Sequence, residues 1–266
     1  MDSGAVALVT GASSGIGLSV AEQWVARGGR VALVARRKDE LDKVVARLGK
    51  DCAAAFVLDV SDLARLSSLP AEVKQHFGRL DLVVNNAGLN HRGPAMHWQP
   101  QQLGDVITVN LTAPVVLTRA ALGVLEPGGA IVNVASLAGM VPLPDEAAYC
   151  ASKAGLRAFT RAVRIEHPEL KICLVSPGPT DTTFFGDIKE VPDLVFSQPM
   201  HSAAQVAAAV VRCYDENPEE IALPAFSRHL TSIGYLSSGL AQSLRPFLAK
   251  IGARNKARYM KSKGIS

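Results

Sequence analysis

Acidic residues are missing from the end of this chain. All 24 Asp and Glu lie at or before Glu220, in a sequence of 266 residues. Residues 221–266 hold 8 basic side chains, Arg228, Arg245, Lys250, Arg254, Lys256, Arg258, Lys261 and Lys263, and no acidic one. The body before them has 20 Lys and Arg against its 24 acids, so the overall +4 conceals −4 followed by +8. That split excludes a uniformly basic nucleic-acid binder. Cysteine is scarce: Cys52, Cys150, Cys173 and Cys213 show no close pairing. Neither a disulfide framework nor a zinc site is expected, and the 6 scattered histidines lack ligand spacing. No apolar run approaches the roughly 20 residues of a membrane span. Met1 leads almost directly into an apolar run, which leaves no room for a signal peptide. A soluble, cytoplasmic protein without metal is the expectation.

What the chain does have is alternation. Short β-rich runs occupy Ala5–Val9, Arg30–Ala35, Ala53–Leu58, Leu80–Asn85, Ala130–Ala135, Lys171–Val175 and, more weakly, Glu219–Leu223. Most are apolar throughout, as suits strands buried on both faces of a parallel sheet. Amphipathic stretches lie between them: Ile16–Arg27, Glu40–Leu48, Leu63–Phe77, Gln102–Leu125, Ala147–Glu166 and Ala203–Tyr214. The pattern predicts an α/β fold, doubly wound, with a mostly parallel seven-stranded sheet and helices on both faces. Residues 1–226 would form a single dinucleotide-binding and catalytic domain, and 227–266 a basic amphipathic helical extension of it. Residues 180–202 hold Thr, Phe, Pro and Gly in irregular order and read as a loop that could serve as a lid.

Thr10-Gly11-Ala12-Ser13-Ser14-Gly15-Ile16-Gly17 follows the first strand and opens a helix. Glycines permit a tight turn and close backbone approach, and a helix N-terminus offers N–H groups and positive dipole to a pyrophosphate. The spacing is Gly-x3-Gly-x-Gly, not the commoner Gly-x-Gly-x2-Gly. Here the chain resembles the short-chain dehydrogenase/reductase family, whose turn has the form Thr-Gly-x3-Gly-x-Gly.

Further motifs match that family in order, from about residue 4 to 225. Asp59-Val60 ends the third strand, where the family places an Asp against adenine. Asn85-Asn86-Ala87-Gly88 ends the fourth. Asn110 lies in the next long helix, and Ser136 ends the fifth strand. Tyr149 and Lys153 stand 13 and 17 residues after Ser136. Pro177-Gly178 ends the sixth strand, with Thr180 and Thr182 beyond. A second Tyr-x3-Lys, Tyr259 and Lys263, has Pro246 in place of the serine and no strand leading into it, so it reads as part of the tail.

The resemblance implies hydride exchange between a nicotinamide cofactor and a carbonyl or alcohol carbon. Tyr149 would be the general acid/base, Ser136 would bond the substrate oxygen, Lys153 would hold the ribose, and Asn110 would order a relay water. Lys153 shares a helix face with Tyr149, and its charge is expected to favour the phenolate. Lowering a Tyr pKa of ~10 by about 3 units takes roughly 4 kcal/mol. The cofactor would meet Gly11, Ser13, Ser14, Gly15, Ile16, Gly17, Asp59, Val60, Asn86, Ala87, Gly88, Tyr149, Lys153, Pro177, Gly178, Thr180 and Thr182. Ala35 stands where the family's NAD users carry Asp, and Arg36 and Arg37 follow. An arginine fork suits a 2′-phosphate, and no carboxylate is expected to oppose it, so NADP(H) is the expected cofactor.

Substrate contacts are expected from Ser136, Ala138, Met140, Tyr149, Phe184 and Phe185, with Leu137, Val141, Leu89, Asn90, His91, Val195 and Phe196 as further wall candidates. Most are apolar, and no charged anchor stands out, which points to a hydrophobic carbonyl or alcohol. The alternative is a cofactor-binding scaffold or sensor with little turnover. The family's two long central helices imply a homodimer or homotetramer. In the tail, Leu236, Leu240, Leu244, Phe247, Leu248 and Ile251 recur at helical spacing among cations, with Pro246 starting or kinking a helix. Such a segment could contact an anionic membrane, a sister subunit or the enzyme's own body.

Overall fold

The computed structural model describes residues 4–226 and 238–265. Leu236 lies outside the described residues, as does the side chain of Leu240.

The strands and helices alternate. They run β1 (Val6–Thr10), α1 (Gly15–Ala26), β2 (Arg30–Ala35), α2 (Lys38–Leu48), β3 (Ala53–Val57), α3 (Leu63–Phe77) and β4 (Leu82–Asn85). Then come α4 (Pro100–Ile107), a π-helical turn (Thr108–Thr112), α5 (Ala113–Leu122), β5 (Ala130–Val134), α6 (Ala147–Glu166) and β6 (Lys171–Pro177). The chain continues through β7 (Thr180–Asp181), β8 (His201–Ser202), α7 (Ala203–Glu216), β9 (Glu220–Leu223) and α8 (Ser238–Ser262).

Seven strands form one sheet in the order β3-β2-β1-β4-β5-β6-β9, every neighbouring pair parallel. The strand order reverses between β1 and β4. Ligands of doubly wound sheets bind outside the strand C-termini at such a reversal. The glycine turn after β1 and Asn86–Gly88 after β4 therefore meet at the edge where a cofactor would lie.

The unbroken apolar runs have a simple cause. Successive residues of β1 face opposite layers. Ala5, Ala7 and Val9 pack with Val20, Trp24 and Val210 of α1 and α7. Val6 and Leu8 pack with Leu66, Val73 and Leu117 of α3 and α5. Both faces are dry, so both need apolar residues. Ends are set locally. Asp62 accepts from the Arg65 N–H at 3.1 Å to start α3. Ser202 and Gln205 form a capping box on α7. Pro168 follows the end of α6.

Pro100–Leu122 is continuously helical, and by length and mean hydropathy (1.3) it meets the minimum for a membrane span. It is a packed element here: Val106, Asn110, Ala113, Leu117, Thr118 and Ala121 are all buried. Its π turn lies where Pro114 has no N–H to return to the carbonyl of Asn110, four residues back.

Residues 180–202 are not an open lid. They form β7, β8 and three 3₁₀ turns, and Phe185, Ile188, Val191 and Phe196 bury together beneath α8. Pro246 does not start α8 but lies within it. The helix settles on the body. Asn255 Nδ2 donates to the Phe196 carbonyl at 3.0 Å, and Lys256 Nζ to the carbonyls of Lys189 and Val191 at 3.0 and 2.6 Å. The second Tyr-x3-Lys pair is a clamp: Tyr259 Oη and Lys263 Nζ both donate to Asp181, at 2.7 and 2.6 Å.

Candidate active site

The site begins with the turn after β1. Gly11 has φ +67°, and a Cβ there would meet Asn86 Nδ2 at 2.9 Å and Ala87 Cα at 3.0 Å. At Gly17 a Cβ would lie 2.5 Å from the Gly11 carbonyl oxygen and 2.6 Å from Asn86 Nδ2. The first glycine lets the chain turn left-handed. The other lets helix, turn and β4 close on one another. Thr10 ties the two strand ends, its Oγ1 accepting the N–H groups of Asn86 and Ala87, both at 3.0 Å. Asn86 Nδ2 returns a bond to the Thr10 carbonyl at 2.9 Å. Ser14 precedes α1 in an extended conformation and makes no side-chain cap. The first-turn N–H groups are left for an anion.

This turn opens into a cavity of about 1160 Å³. That exceeds the roughly 300–1,000 Å³ of a single small-molecule pocket, leaving room for a cofactor and a substrate. Gly11, Ser13, Ser14, Gly15 and Ile16 line it, with Arg36, Arg37, Asp59, Val60, Asn86, Ala87, Gly88, Pro177, Gly178, Thr180 and Thr182. Ser136, Ala138, Tyr149, Lys153, Phe184 and Phe185 line the rest. The cradle, the uncapped helix end and the size all fit a dinucleotide.

Three expected residues lie off the cavity wall. Gly17 stands behind the turn, in its packing role. Met140 is buried with Leu137 and Ala222, so it shapes the wall only from behind. Asn110 is fully buried, its Oδ1 accepting from the Leu89 N–H at 2.8 Å and its Nδ2 donating to the Leu89 carbonyl at 2.7 Å and Ser152 Oγ at 3.2 Å. Among the wider wall candidates, Phe196 belongs to the core beneath α8 and His91 packs against Trp98, the rings tilted by 34° with centres 4.7 Å apart.

The electrostatics differ from expectation at two places. Burial pushes the Tyr149 phenol up, a bond from Ser136 pulls it partly back, Glu146 raises it and Arg92 lowers it. Burial likewise brings Lys153 down to about 8. The ammonium bonds the Val134 carbonyl, at 2.8 Å, and not the phenol, so burial sets the direction at Tyr149. The other place is Arg36. A carboxylate is near it after all: Asp59 Oδ2 lies 3.7 Å from Nη1. The contact is long, and the Arg36 side chain is 76% exposed, so the pair is loose.

Sequence reasoning missed several wall residues. Arg92 and Glu146 put charge at the substrate end, against the expectation of none. Leu244, Arg245 and Leu248 of α8 also reach the cavity. Their helical spacing was visible, but their destination depends on where α8 docks.

The motif set, strand order and cavity define a dinucleotide-binding oxidoreductase fold. A family model described as short chain dehydrogenase matches residues 5–192. The chain belongs to the short-chain dehydrogenase/reductase family. It is 38% identical over 167 residues to D-threitol dehydrogenase of Mycolicibacterium smegmatis, covering 61% of this chain and 64% of that protein. It is 34% identical over 200 residues to 15-hydroxyprostaglandin dehydrogenase [NAD(+)] of Mus musculus, covering 70% and 71%. The chain spans less than two thirds of the length of several curated relatives, at 64%, 60% and 57%. Among solved structures, a short-chain dehydrogenase from Streptomyces avermitilis superimposes with TM-score 0.77 at 32% identity, covering 91% of this chain and 95% of that one. An alcohol dehydrogenase from Thermococcus sibiricus complexed with 5-hydroxy-NADP gives TM-score 0.73 at 30% identity, covering 82% and 95%.

Proposed function

We propose that this chain is an NADP(H)-dependent oxidoreductase interconverting a carbonyl and an alcohol, with Tyr149 exchanging the proton. One observation carries the reading: Ser136, Tyr149 and Lys153 converge on the same cavity that the glycine turn opens into. A bound nicotinamide dinucleotide would supply or accept the hydride.

The chain's own residues do the rest. Tyr149, kept protonated by its enclosed setting, gives a proton to the substrate oxygen during reduction. Ser136 Oγ accepts the Ala138 N–H at 3.1 Å, which fixes the hydroxyl that also meets Tyr149. It is thereby held to orient the substrate oxygen. Lys153 stands ready to hold the ribose and to offset charge left on the phenol. Asn110 pins the Leu89 loop through its side chain. The relay water assigned to it would lie against its backbone carbonyl, which Pro114 leaves without an α-helical partner.

Preference for the 2′-phosphate is supported by Ala35, Arg36 and Arg37 at the cavity edge. The relatives' names point both ways, with NAD(+) in one and 5-hydroxy-NADP in another. A cytoplasmic setting with NADP kept reduced favours reduction. The substrate is a largely apolar carbonyl or alcohol, held by such residues as Leu89, Val141, Phe184 and Val195. The exposed Ile165 on α6 supports assembly through the central helices. Membrane contact has less behind it, since Lys256 and Lys263 of the tail are engaged by the body.

The test is oxidation of NADPH and of NADH with a panel of hydrophobic ketones and aldehydes, with Tyr149→Phe as control. The reading expects turnover with NADPH at lower KM and loss in the variant. Equal or tighter use of NADH removes the cofactor assignment, and activity surviving in Tyr149→Phe removes the mechanism.

A further inference from the structure

The substrate end of the cavity is not uniformly apolar. Asn90, Arg92 and Glu146 meet there. Arg92 Nε donates to Glu146 Oε1 at 3.1 Å and Nη1 to the Phe185 carbonyl at 2.8 Å. Both side chains are deeply enclosed, 13% and 6% exposed. The guanidinium lies 5.8 Å from the centre of the Phe184 ring, and that ring lies 5.9 Å from the ring of Tyr149. Glu146 directly precedes α6, three residues before Tyr149. The trio therefore borders the phenol.

A buried ion pair is costly to desolvate and is weak evidence of a purely stabilising role. This one also has capacity to spare. A guanidinium carries five N–H donors, and the bonds above use Nε and Nη1 only. The carboxylate receives Arg92 at Oε1, leaving Oε2. Asn90 lies against Glu146, yet both polar atoms of its amide are buried without a hydrogen bond of standard geometry. An unmet buried polar group is destabilising, and such groups are few in folded proteins. All three residues line the cavity, with the Asn90 amide lying just beneath its surface against Glu146.

That combination selects among ligands. A second carboxylate would meet Glu146, and an ammonium would meet Arg92. A hydroxyl both donates and accepts and carries no charge. We propose that Asn90, Arg92 and Glu146 form a subsite for a second oxygen of the substrate, a hydroxyl close to the carbonyl that faces Tyr149. The substrate class is then a hydroxyketone or hydroxyaldehyde with an apolar remainder against Phe184, or the corresponding diol in the reverse direction. This deepens the proposed function and rests on it.

The test compares α-hydroxyacetophenone with acetophenone, and β-hydroxypropiophenone with propiophenone. Each pair is assayed for kcat and KM with NADPH, and for binding to the NADPH complex by titration calorimetry. At least one hydroxyketone should bind about tenfold more tightly than its parent, with the gain in KM rather than kcat. Asn90→Ala and Glu146→Gln should each bring that binding ratio close to one. Asn90→Ala guards against misfolding of the Glu146 variant, and melting temperatures check both. Ratios near one in the unaltered protein for both pairs overturn the subsite. So does a ratio that survives both substitutions. If the binding ratio behaves as expected while no ketone is reduced, the subsite stands and the proposed reaction falls.

Discussion

Lys153 Nζ stands 5.8 Å from the centre of the Tyr149 ring, and its hydrogen bond runs to the Val134 carbonyl at 2.8 Å. The lysine is anchored by strand β5, not by the phenol. Burial then acts on each group separately, pushing Tyr149 up and bringing Lys153 down to about 8. Tyr149 is protonated throughout the ordinary range, as an acid in reduction must be. The charge that supports it is what titrates. So kcat/KM for NADPH, which reports the free enzyme, should fall on the alkaline side with an apparent pKa near 8. Lys153→Met should lose that limb and at least about a hundredfold in rate. A profile flat to pH 9.5 would refute the assignment.

Cofactor choice turns on the end of β2. Ala35 and Arg36 both line the cavity. Ala35→Asp would place a carboxylate where a 2′-phosphate is expected, and would offer an acceptor to a 2′-hydroxyl. KM for NADPH should rise at least about tenfold and KM for NADH should fall. Arg36→Ala should raise KM for NADPH alone, by about tenfold or more, since a hydrogen bond to a charged group contributes ~1.5–3 kcal/mol. An equal effect on both cofactors would mean that Arg36 does not read the phosphate.

Much of the body could be read without coordinates, for physical reasons. A strand that is dry on both faces must be apolar throughout, so Val31–Val34 and Ile172–Val175 announce themselves. Tyr149 and Lys153 both line the cavity, and what singled them out was their order after Ser136, since the spacing alone occurs twice. What could not be read depends on distant contacts. Nothing local distinguishes Arg92 from a surface arginine until its partner Glu146, 54 residues on, is placed beside it. Met140 reads as a cavity residue by position, yet it turns toward Ala222 at the far edge of the sheet. Tyr259 and Lys263 repeat the Tyr-x3-Lys spacing but meet Asp181, which no pattern in the tail reveals.

Helix α8 should be removable from its seat by a single methyl group. Gly252 is buried, and a Cβ there would overlap the Asp193 carbonyl oxygen and lie 2.7 Å from its carbon. Backbone cannot give way as a flexible side chain could. Gly252→Ala is therefore expected to lift α8 from the 3₁₀ turn at Asp193–Ser197. Leu244 and Leu248 would then leave the cavity. Limited trypsin digestion should cut the tail several-fold faster, and KM for ketones should rise. Tyr259→Phe should have a milder effect, about 1 kcal/mol or less, because its bond to Asp181 is only partly buried. Unchanged digestion of Gly252→Ala would show that α8 docks differently.

Neutralising Glu220 should be costly. It begins β9 at the sheet edge and is buried. Arg157 Nε and Nη2 bond its two oxygens at 3.0 and 2.9 Å, Ser176 Oγ donates to Oε1 at 2.6 Å, and Arg161 Nη2 donates to Oε2 at 3.0 Å. Burial alone would raise its pKa, but the bonds from Arg157 and Ser176 and the charges of Arg157 and Arg161 outweigh it, so the net direction is down. A carboxyl with a folded pKa below its unfolded value, about 4.3, stabilises the protein above that value. The contribution is lost as pH falls through the folded pKa. Glu220→Gln keeps the shape but leaves Arg157 without its counter-charge. The loss should be about 3 kcal/mol at pH 7, or roughly 6–12 °C in Tm for a chain of this size. Urea titrations of both proteins should give that gap from pH 6 to 8 and show it closing below about pH 4. A gap that persists unchanged into acid would mean the carboxylate's charge is not what holds β9 to α6.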